Sequence, residues 1–289
     1  MATYFGLMRK GQTLASKKGL EKTAVKSLLL FASNLTPTEI YRDMNKEVPK
    51  EIEDKFYHCL DEYIEKGRPP QYIIGYTYFY GYKINVDDRV LIPRWETEEL
   101  ASNILIYYDR YFRGEKVKVI DIGTGSGAIA IALKKEEPNM IVSASDISED
   151  ALDVARENAK INDVDINFFK SDMLESLNDN EKFDIIVSNP PYLMTNEFVE
   201  PIVKDNEPHV ALFGGEDGLH FYRIILKDAL KHLNKDRYML AFEHGYDKKE
   251  ELNVLIKEYY KDAKIINLKD SAGRDRMTFI IKIKVENLP

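Results

Sequence analysis

Apolar residues at three- and four-residue spacing run through about the first 67 residues and predict helices throughout this part of the chain. Two of these series are Ala24, Leu28, Leu29, Phe31 and Ile52, Phe56, Leu60, Ile64. Thr36 followed by Pro37 is typical of a helix start, because the threonine can cap the helix and the proline fits its first turn. The pattern therefore predicts a small helical bundle.

Glycine and proline then interrupt the helical pattern. The segment from Gly67 to Gly75 contains two adjacent prolines and indicates a domain boundary. Alternating residues follow at Tyr76–Tyr80 and Tyr82–Val86 and predict a β-hairpin linker within residues 76–90. We therefore expect a helical domain at residues 1–75, the hairpin, and a larger domain at residues 91–289.

Short apolar strands alternate with helical stretches in the larger domain. The predicted strands are Lys118–Asp121, Ile141–Ser145, Ile166–Lys170, Ile185–Ser188, Tyr238–Glu243, Ile265–Leu268 and Met277–Ile283. The predicted helices are Ile92 to about Tyr111, Ala128–Lys135, Glu149–Ile161, Leu219–Leu233 and Lys248–Tyr260. This alternation is typical of an α/β fold with a doubly wound parallel sheet. The last two strands lack room for a crossover helix between them, so the last of the seven is expected to run antiparallel.

Composition narrows the class of protein. The formal net charge of -8 makes the chain a poor general ligand for nucleic-acid phosphates. Cys59 is the only cysteine, which excludes an intrachain disulfide framework and a cysteine-rich metal site and fits a reducing compartment. No apolar run is long enough to span a bilayer, and the start lacks a signal-peptide pattern. We predict a cytoplasmic protein without a metal site.

A glycine-rich turn follows the first strand of the sheet. From Asp121 to Ala128 the sequence reads Asp-Ile-Gly-Thr-Gly-Ser-Gly-Ala and enters a helix. Glycines let the backbone approach a ligand closely, and a helix N-terminus offers free amide donors. Asp146 ends the second strand and can accept hydrogen bonds from ribose hydroxyls. These features also fit a nicotinamide or flavin dinucleotide, so they do not decide between nucleotide cofactors.

Polar residues at the ends of the next two strands are more specific. Asp172 can accept a hydrogen bond from an adenine amino group, and Met173 can contact the ring. Asn189 follows the fourth strand and begins the sequence Asn-Pro-Pro-Tyr. The two prolines end the strand, and the first of them holds Asn189 in extended geometry where open α/β sheets bind their ligands.

The Asn-Pro-Pro-Tyr turn is suited to a planar NH2 group. The Asn189 side-chain oxygen and the Pro190 carbonyl can accept its two N–H bonds, while Tyr192 covers its flat face. Accepting both protons and holding the nitrogen in line with an electrophilic methyl group supplies orientation and polarisation together. This chemistry does not distinguish a glutamine amide from an adenine amino group.

The motifs resemble those of a known family. The glycine-rich turn with Asp146 resembles the S-adenosylmethionine site of class I methyltransferases, and Asn-Pro-Pro-Tyr resembles the branch that methylates amino groups of adenine in DNA or of protein glutamine. Further segments are similar to the PrmC/HemK family, which methylates the Gly-Gly-Gln glutamine of peptide chain release factors. They are Arg68-x-Pro-x-Gln71-Tyr72-Ile-x-Gly75, Leu91-Ile-Pro93-Arg94-x-x-Thr97-Glu98, Glu207-Pro208-x-x-Ala211-Leu212-x-Gly214-Gly215-x-Asp217-Gly218-Leu219 and Ala272-Gly273-Arg274-Asp275-Arg276. Trp95 stands where this family usually has a second proline.

The resemblance implies a class I methyltransferase fold, preceded by a helical bundle and a hairpin, and S-adenosylmethionine as the cofactor. The residues implied to bind the cofactor are Gly123, Thr124, Gly125, Ser126, Gly127, Asp146, Asp172, Met173 and Asn189. Asn189, Pro190, Pro191 and Tyr192 would bind the substrate amide, and Asn189, Pro190 and Tyr192 would be the catalytic residues. Glu207–Gly218 would lie near the substrate entrance.

The resemblance also implies a partner. A release factor would be the protein substrate, bound by the helical bundle and the hairpin, and neither a membrane nor a nucleic acid is expected to bind. Two other interpretations stay open from the residues alone. One is an N6-adenine methyltransferase acting on nucleic acid, and the other is a nicotinamide-binding oxidoreductase or a catalytically idle binding module on the same fold.

Overall fold

A computed structural model describes residues 2–283, which form two compact units. Of the described residues, the first unit contains 2–76 together with Val199–Asn206, and the second contains Thr77–Phe198 and residues 207–283. Among the described helices, none combines the length and apolar character that a membrane crossing requires.

The first unit is a helical bundle. Its elements are α1 (Tyr4–Lys17), α2 (Lys22–Ser33), α3 (Pro37–Arg42), α4 (Lys50–Ile64), α5 (Pro70–Ile74) and α9 (Pro201–Lys204). Thr36 and Glu39 form a capping box at the start of α3, which confirms the predicted helix start. The core is built from the apolar faces of these helices. Its buried side chains include Leu7, Val25, Leu28, Leu29, Ile40, Phe56, Leu60 and Tyr63.

Two features of this unit differ from the sequence prediction, in which the helices end at the interruption Gly67–Gly75. The segment predicted as an interruption contains the short helix α5, because Pro70 fits its first position and Gly75, with φ 86°, ends it in the left-handed region. A later stretch, Val199–Asn206, also belongs to this unit. There the Asn206 side-chain amide donates to the Gly67 carbonyl at 2.9 Å.

The second unit contains a seven-stranded sheet. Its strands are β3 (Val117–Ile122), β4 (Met140–Asp146), β5 (Asn167–Lys170), β6 (Ile185–Ser188), β7 (Arg237–Glu243), β8 (Lys264–Lys269) and β9 (Asp275–Ile283). Their order is β5-β4-β3-β6-β7-β9-β8, and β9 runs antiparallel to both of its neighbours. The predicted α/β fold with a reversed last strand is confirmed.

Helices and a hairpin complete this unit. The helices are α6 (Trp95–Phe112), α7 (Ala128–Glu136), α8 (Glu149–Ile161), α10 (His220–His232) and α11 (Lys249–Tyr259), with a 3-10 turn at His209–Ala211. The predicted hairpin is present as β1 (Tyr76–Phe79) and β2 (Tyr82–Asn85). Tyr80 and Gly81 both have positive φ, as a two-residue hairpin turn of type I′ requires.

The strand register brings the ends of four strands into one row. Ile122 pairs with Ser145 of β4 on one side and with Ser188 of β6 on the other, and Ser188 pairs with Phe242 of β7. The residues after these positions therefore meet at the carboxyl edge of the sheet, which is the ligand-binding edge of open α/β folds.

Candidate active site

The glycine-rich turn after β3 is open at the positions predicted to contact a cofactor. Gly123 and Gly125 have φ values of 69° and 54°, in the left-handed region. A Cβ added at either residue would meet nothing within 4 Å. Gly127, by contrast, packs closely on Ala155, where an added Cβ would lie 3.1 Å from the alanine methyl carbon. The first two glycines thus leave bare backbone facing open space.

Asp146 links this turn to the end of β4. Its carboxylate accepts hydrogen bonds from the backbone N–H groups of Gly125 and Ser148, each at 2.9 Å. Burial raises the pKa of Asp146, against the lowering effect of these amide donors. A carboxylate has about four acceptor positions, so Asp146 retains capacity for donors such as ribose hydroxyls.

Asp121 is a second carboxylate at this turn and is fully buried. The Thr124 hydroxyl donates to its Oδ2 atom at 2.6 Å, and its Oδ1 atom has no hydrogen-bond partner within the described chain. Burial raises the pKa of Asp121 to about 7, and the nearby charge of Asp146 acts in the same direction. The site therefore holds a buried acceptor atom with no partner of its own.

Asn158 fixes the glycine-rich turn from behind and was not identified from the sequence. Its amide nitrogen donates to the carbonyl oxygens of Ser126 at 2.9 Å and of Asn85 at 3.0 Å. Its side-chain oxygen accepts from the Asn85 backbone N–H at 2.7 Å. One buried amide therefore joins α8, β2 and the turn. A lone polar residue on the apolar face of α8 was the only sequence indication.

The two residues predicted at the adenine have different environments. Asp172 is exposed at the end of β5. Met173 is buried, has φ 47° and packs with Ile120 and Ile122 in the core. The carboxylate of Asp172 is thus accessible to a ligand, whereas the Met173 side chain forms part of the packed wall.

The Asn-Pro-Pro-Tyr turn is held by side chains from other elements. The Asn189 amide nitrogen donates to Thr97 Oγ1 at 3.1 Å, and the Thr97 hydroxyl donates to Glu243 Oε2 at 2.7 Å. The Tyr192 hydroxyl donates to the other oxygen of the same carboxylate, Oε1, at 3.3 Å. Both ends of the turn are therefore tied to Glu243.

Glu243 is a buried acid at the centre of this network, with 1 % of its surface exposed. Burial raises its pKa to about 7, while the Thr97 hydrogen bond and the positive charge of Arg276 act in the opposite direction. The Tyr222 hydroxyl donates to the Glu243 backbone carbonyl at 2.6 Å. Burial also raises the pKa of Tyr192, and the Glu243 charge adds to the rise. Tyr192 is therefore a neutral hydrogen-bond donor at neutral pH.

The predicted entrance loop, Glu207–Gly218, packs against the backbone of the Asn-Pro-Pro-Tyr turn. An added Cβ at Gly214 would lie within 3.0 Å of the Pro191 carbonyl oxygen, and one at Gly218 within 3.0 Å of the Tyr192 carbonyl oxygen. Backbone hydrogen bonds continue this contact, with Gly214 N–H donating to the Leu193 carbonyl at 2.8 Å. The two glycines thus allow a backbone-to-backbone approach.

The first residue of this loop has its own anchor. The Glu207 carboxylate is buried, accepts from the Ile92 backbone N–H at 3.1 Å and forms an ion pair with Arg94. Glu207 therefore connects the loop to the segment before α6. These two segments carry separate sequence motifs of the family.

Thr97 and Glu243 received no role from the sequence. Thr97 lay within a quoted motif, and Glu243 ended a predicted strand. One pattern could have identified Glu243, because a charged residue at the end of an apolar strand had already indicated Asp146. Within the described residues, no three His, Cys, Asp or Glu side chains are grouped to hold a metal ion.

The strand order, the glycine-rich turn after β3 and the polar turn after β6 are those of a class I methyltransferase fold. Two family models match the sequence: Methyltransferase small domain over residues 99–210 and PrmC N-terminal domain over residues 7–75. The release factor glutamine methyltransferase of Bacillus cereus is 37% identical over 275 residues, covering 94% of this chain and 96% of that protein. The enzyme of the same name from Streptococcus pneumoniae is 41% identical over 266 residues, covering 91% and 93%. The chain belongs to the release factor glutamine methyltransferase family, as the sequence motifs predicted.

Solved structures support the fold. A methyltransferase from Pyrococcus furiosus superposes with a TM-score of 0.52 at 24% identity, covering 70% of this chain and 90% of that chain. A 16S rRNA methyltransferase from Thermus thermophilus, in complex with AdoMet and guanosine, gives a TM-score of 0.50 at 16% identity, covering 72% and 49%. At these identities the likeness concerns the fold alone.

Proposed function

We propose that this chain transfers a methyl group from S-adenosylmethionine to the side-chain amide nitrogen of the glutamine in the Gly-Gly-Gln motif of a peptide chain release factor. Family membership supports this reaction. The observation that carries it is the position of Asn189, which follows β6 immediately beside β3 and its glycine-rich turn. A methyl donor on one turn and an amide on the other would meet at the same edge of the sheet.

The cofactor would bind along the glycine-rich turn. The open backbone at Gly123 and Gly125 suits a closely approaching ligand, and Asp146 has free acceptor capacity for ribose hydroxyls. The sulfonium of S-adenosylmethionine supplies a methyl group that is already activated. Thr124, Ser126 and Gly127 shape the same turn. The roles of Asp172 at the adenine amino group and of Met173 at the ring belong to the same proposal.

The substrate amide would bind at the Asn-Pro-Pro-Tyr turn. Asn189 Oδ1 and the Pro190 carbonyl would accept the two N–H bonds of the glutamine amide, and the Tyr192 ring would cover its face. Pro191 keeps the turn rigid. Holding both protons in a partly desolvated site aligns the nitrogen and increases its electron density, which an amide nitrogen otherwise lacks.

The first unit and the hairpin would bind the release factor, with the loop Glu207–Gly218 near the entrance to the site. We place this reaction in the cytoplasm, where translation occurs. Family membership and the net charge of -8 favour a glutamine over an adenine in nucleic acid, and a nicotinamide enzyme would leave the Asn-Pro-Pro-Tyr turn without a role.

The direct test is incubation with labelled S-adenosylmethionine and a release factor, followed by mass spectrometry of the Gly-Gly-Gln peptide. We expect one added methyl group on the glutamine. Asn189→Ala should lower transfer by at least about 100-fold, as for removal of a strong transition-state hydrogen bond, while cofactor binding stays measurable. Near-normal turnover of Asn189→Ala would refute the role of Asn189. Label on duplex DNA but not on the release factor would refute the substrate.

A further inference from the structure

We propose that Thr97 and Glu243 are positioning residues that fix the direction of the Asn189 side-chain amide, so that the site accepts an NH2 group and rejects a carboxylate. This inference rests on the proposed function, because it concerns how the same turn selects glutamine. It adds two residues from distant elements, the first turn of α6 and the end of β7, that need not touch the substrate.

The hydrogen bonds at Glu243 run in one direction when its carboxylate is ionised. An ionised carboxylate can only accept hydrogen bonds. Its Oε2 atom faces the Thr97 hydroxyl at 2.7 Å and its Oε1 atom faces the Tyr192 hydroxyl at 3.3 Å. Both hydroxyls must therefore donate to it. The positive charge of the buried Arg276 favours the ionised form against the opposing effect of burial, so this arrangement belongs to the ionised state of Glu243.

The single proton of the Thr97 hydroxyl determines which way the Asn189 amide faces. A hydroxyl has one O–H donor, and in Thr97 it is used by Glu243. Thr97 Oγ1 can then only accept from Asn189, which lies 3.1 Å away. An amide presents a donor at one end and an acceptor at the other, so the nitrogen must face Thr97. The direction of the Asn189 amide thus follows from the charge on Glu243.

The consequence lies at the other end of the amide. With one N–H of its nitrogen on Thr97, Asn189 presents its Oδ1 acceptor at the opposite end of the amide, and the Pro190 backbone carbonyl offers a second acceptor. A glutamine amide satisfies both with its two N–H bonds. A glutamate carboxylate has no proton to donate and would face two acceptors. The site therefore discriminates against glutamate, because the two acceptor oxygens would be left without hydrogen-bond donors. Such unpaired polar groups cost more binding free energy than the loss of an apolar contact.

The test compares Thr97→Val with Thr97→Ser. Valine removes the hydroxyl and lets the Asn189 amide rotate, whereas serine keeps the donor and the acceptor. We expect Thr97→Val to lower kcat by about tenfold or more, the equivalent of one hydrogen bond of about 1.4 kcal/mol, with unchanged cofactor affinity. Thr97→Ser should stay within about threefold of the unsubstituted enzyme. Thr278→Val is the matched control, because it removes another buried threonine hydroxyl from the same unit.

A second readout separates positioning from general structure. A release factor carrying glutamate in place of the Gly-Gly-Gln glutamine should inhibit the unsubstituted enzyme weakly. In Thr97→Val a rotated Asn189 amide can donate to that carboxylate, so inhibition should strengthen by about tenfold relative to the control. A loss of packing alone would not strengthen inhibition by the release factor that carries glutamate.

Equal kcat and equal inhibition in Thr97→Val and Thr278→Val would overturn the proposal. If Thr97→Val does not fold, Glu243→Gln provides the same test, because a glutamine can present either its oxygen or its nitrogen to Thr97. Retention of full glutamine-over-glutamate selectivity in Glu243→Gln would then overturn it. Failure of the unsubstituted enzyme to methylate any release factor would instead refute the proposed function, which keeps the two failures distinct.

Discussion

The two turns of the candidate site are built in opposite ways. The glycine-rich turn after β3 gains its shape from backbone conformations within a few residues, and Gly123 and Gly125 face open space. The Asn-Pro-Pro-Tyr turn after β6 is enclosed. Its backbone packs on Gly214 and Gly218, and its side chains bond to elements far away in the sequence.

The difference follows from what each turn is proposed to hold. A cofactor that binds through backbone amides and hydroxyls needs room and a bare main chain. A small planar amide needs two acceptors in fixed directions, which requires side chains that cannot rotate. Substitutions should therefore affect binding at the first turn and turnover at the second.

The largest effect is expected at Gly218, in the loop that packs on the Asn-Pro-Pro-Tyr turn. Gly218→Ala places a methyl group within 3.0 Å of the Tyr192 carbonyl oxygen at a residue with φ 73°, so the turn must shift. We expect a loss of about 2–4 kcal/mol in the free energy of unfolding, from overpacking and left-handed strain together. The measurement is denaturant unfolding with kcat on the same sample, and kcat should fall at least tenfold.

Gly125→Ala is the matched control for this change. Its φ of 54° also lies in the left-handed region, but the new methyl group meets nothing within 4 Å. We expect a loss of only about 1 kcal/mol in stability. Cofactor affinity should fall, while kcat at saturating cofactor stays near normal. A larger drop in kcat for Gly125→Ala than for Gly218→Ala would reverse the comparison.

The next effect concerns the two buried carboxyls, one at each turn, whose pKa values are both raised to about 7. Unfolding returns Asp121 and Glu243 to pKa values near 3.8 and 4.5. Between about pH 4 and pH 7 the native state therefore binds more protons, so the free energy of unfolding falls as pH rises. The slope is up to about 1.4 kcal/mol per pH unit for each group. Asp121→Asn and Glu243→Gln should each flatten the measured slope.

The pH dependence of activity should distinguish the two carboxyls, and with them the two turns. Turnover should rise as Glu243 ionises near pH 7, because only the ionised form fixes Thr97 as a donor. The charged or titratable groups that act on Glu243 are Arg276, Glu96, Tyr192 and Tyr222. This rise should persist in Asp121→Asn and disappear in Glu243→Gln, as measured by kcat between pH 5.5 and about 8.5. A pH profile that is unchanged in Glu243→Gln would contradict the role of its charge.

The smallest effect is expected at Trp95, the departure from the family pattern. Trp95 is the first residue of α6, is 65% exposed, and donates from its ring to Glu99 at 3.2 Å. Arg94 before it is extended, at φ -102° and ψ 157°, as a residue before proline must be. Trp95→Pro should therefore change stability by less than about 0.5 kcal/mol and leave kcat unchanged. A loss of activity would show that the indole contributes to the site.

Patterns within short stretches of sequence predicted most of the fold. Helix Glu149–Ile161 and strand Ile185–Ser188 have the predicted bounds, and the glycine-rich turn joins β3 to α7 as expected. The short helix α5 was missed, because proline at a helix start and proline in a loop look alike in a sequence. The reversed last strand agreed because two strands joined without a crossover helix can pair only antiparallel.

The sequence by itself determined most of the elements, the two turns and the family, since periodicity, glycine conformation and proline geometry act over a few residues. Only the tertiary structure decided what surrounds Asn189. Thr97 lies 92 positions before it, and the Thr97–Glu243 hydrogen bond spans 146 positions. Such contacts depend on how α6 and β7 pack at the edge of the sheet. No local pattern encodes them, because a hydrogen bond between distant residues is fixed by their positions in space.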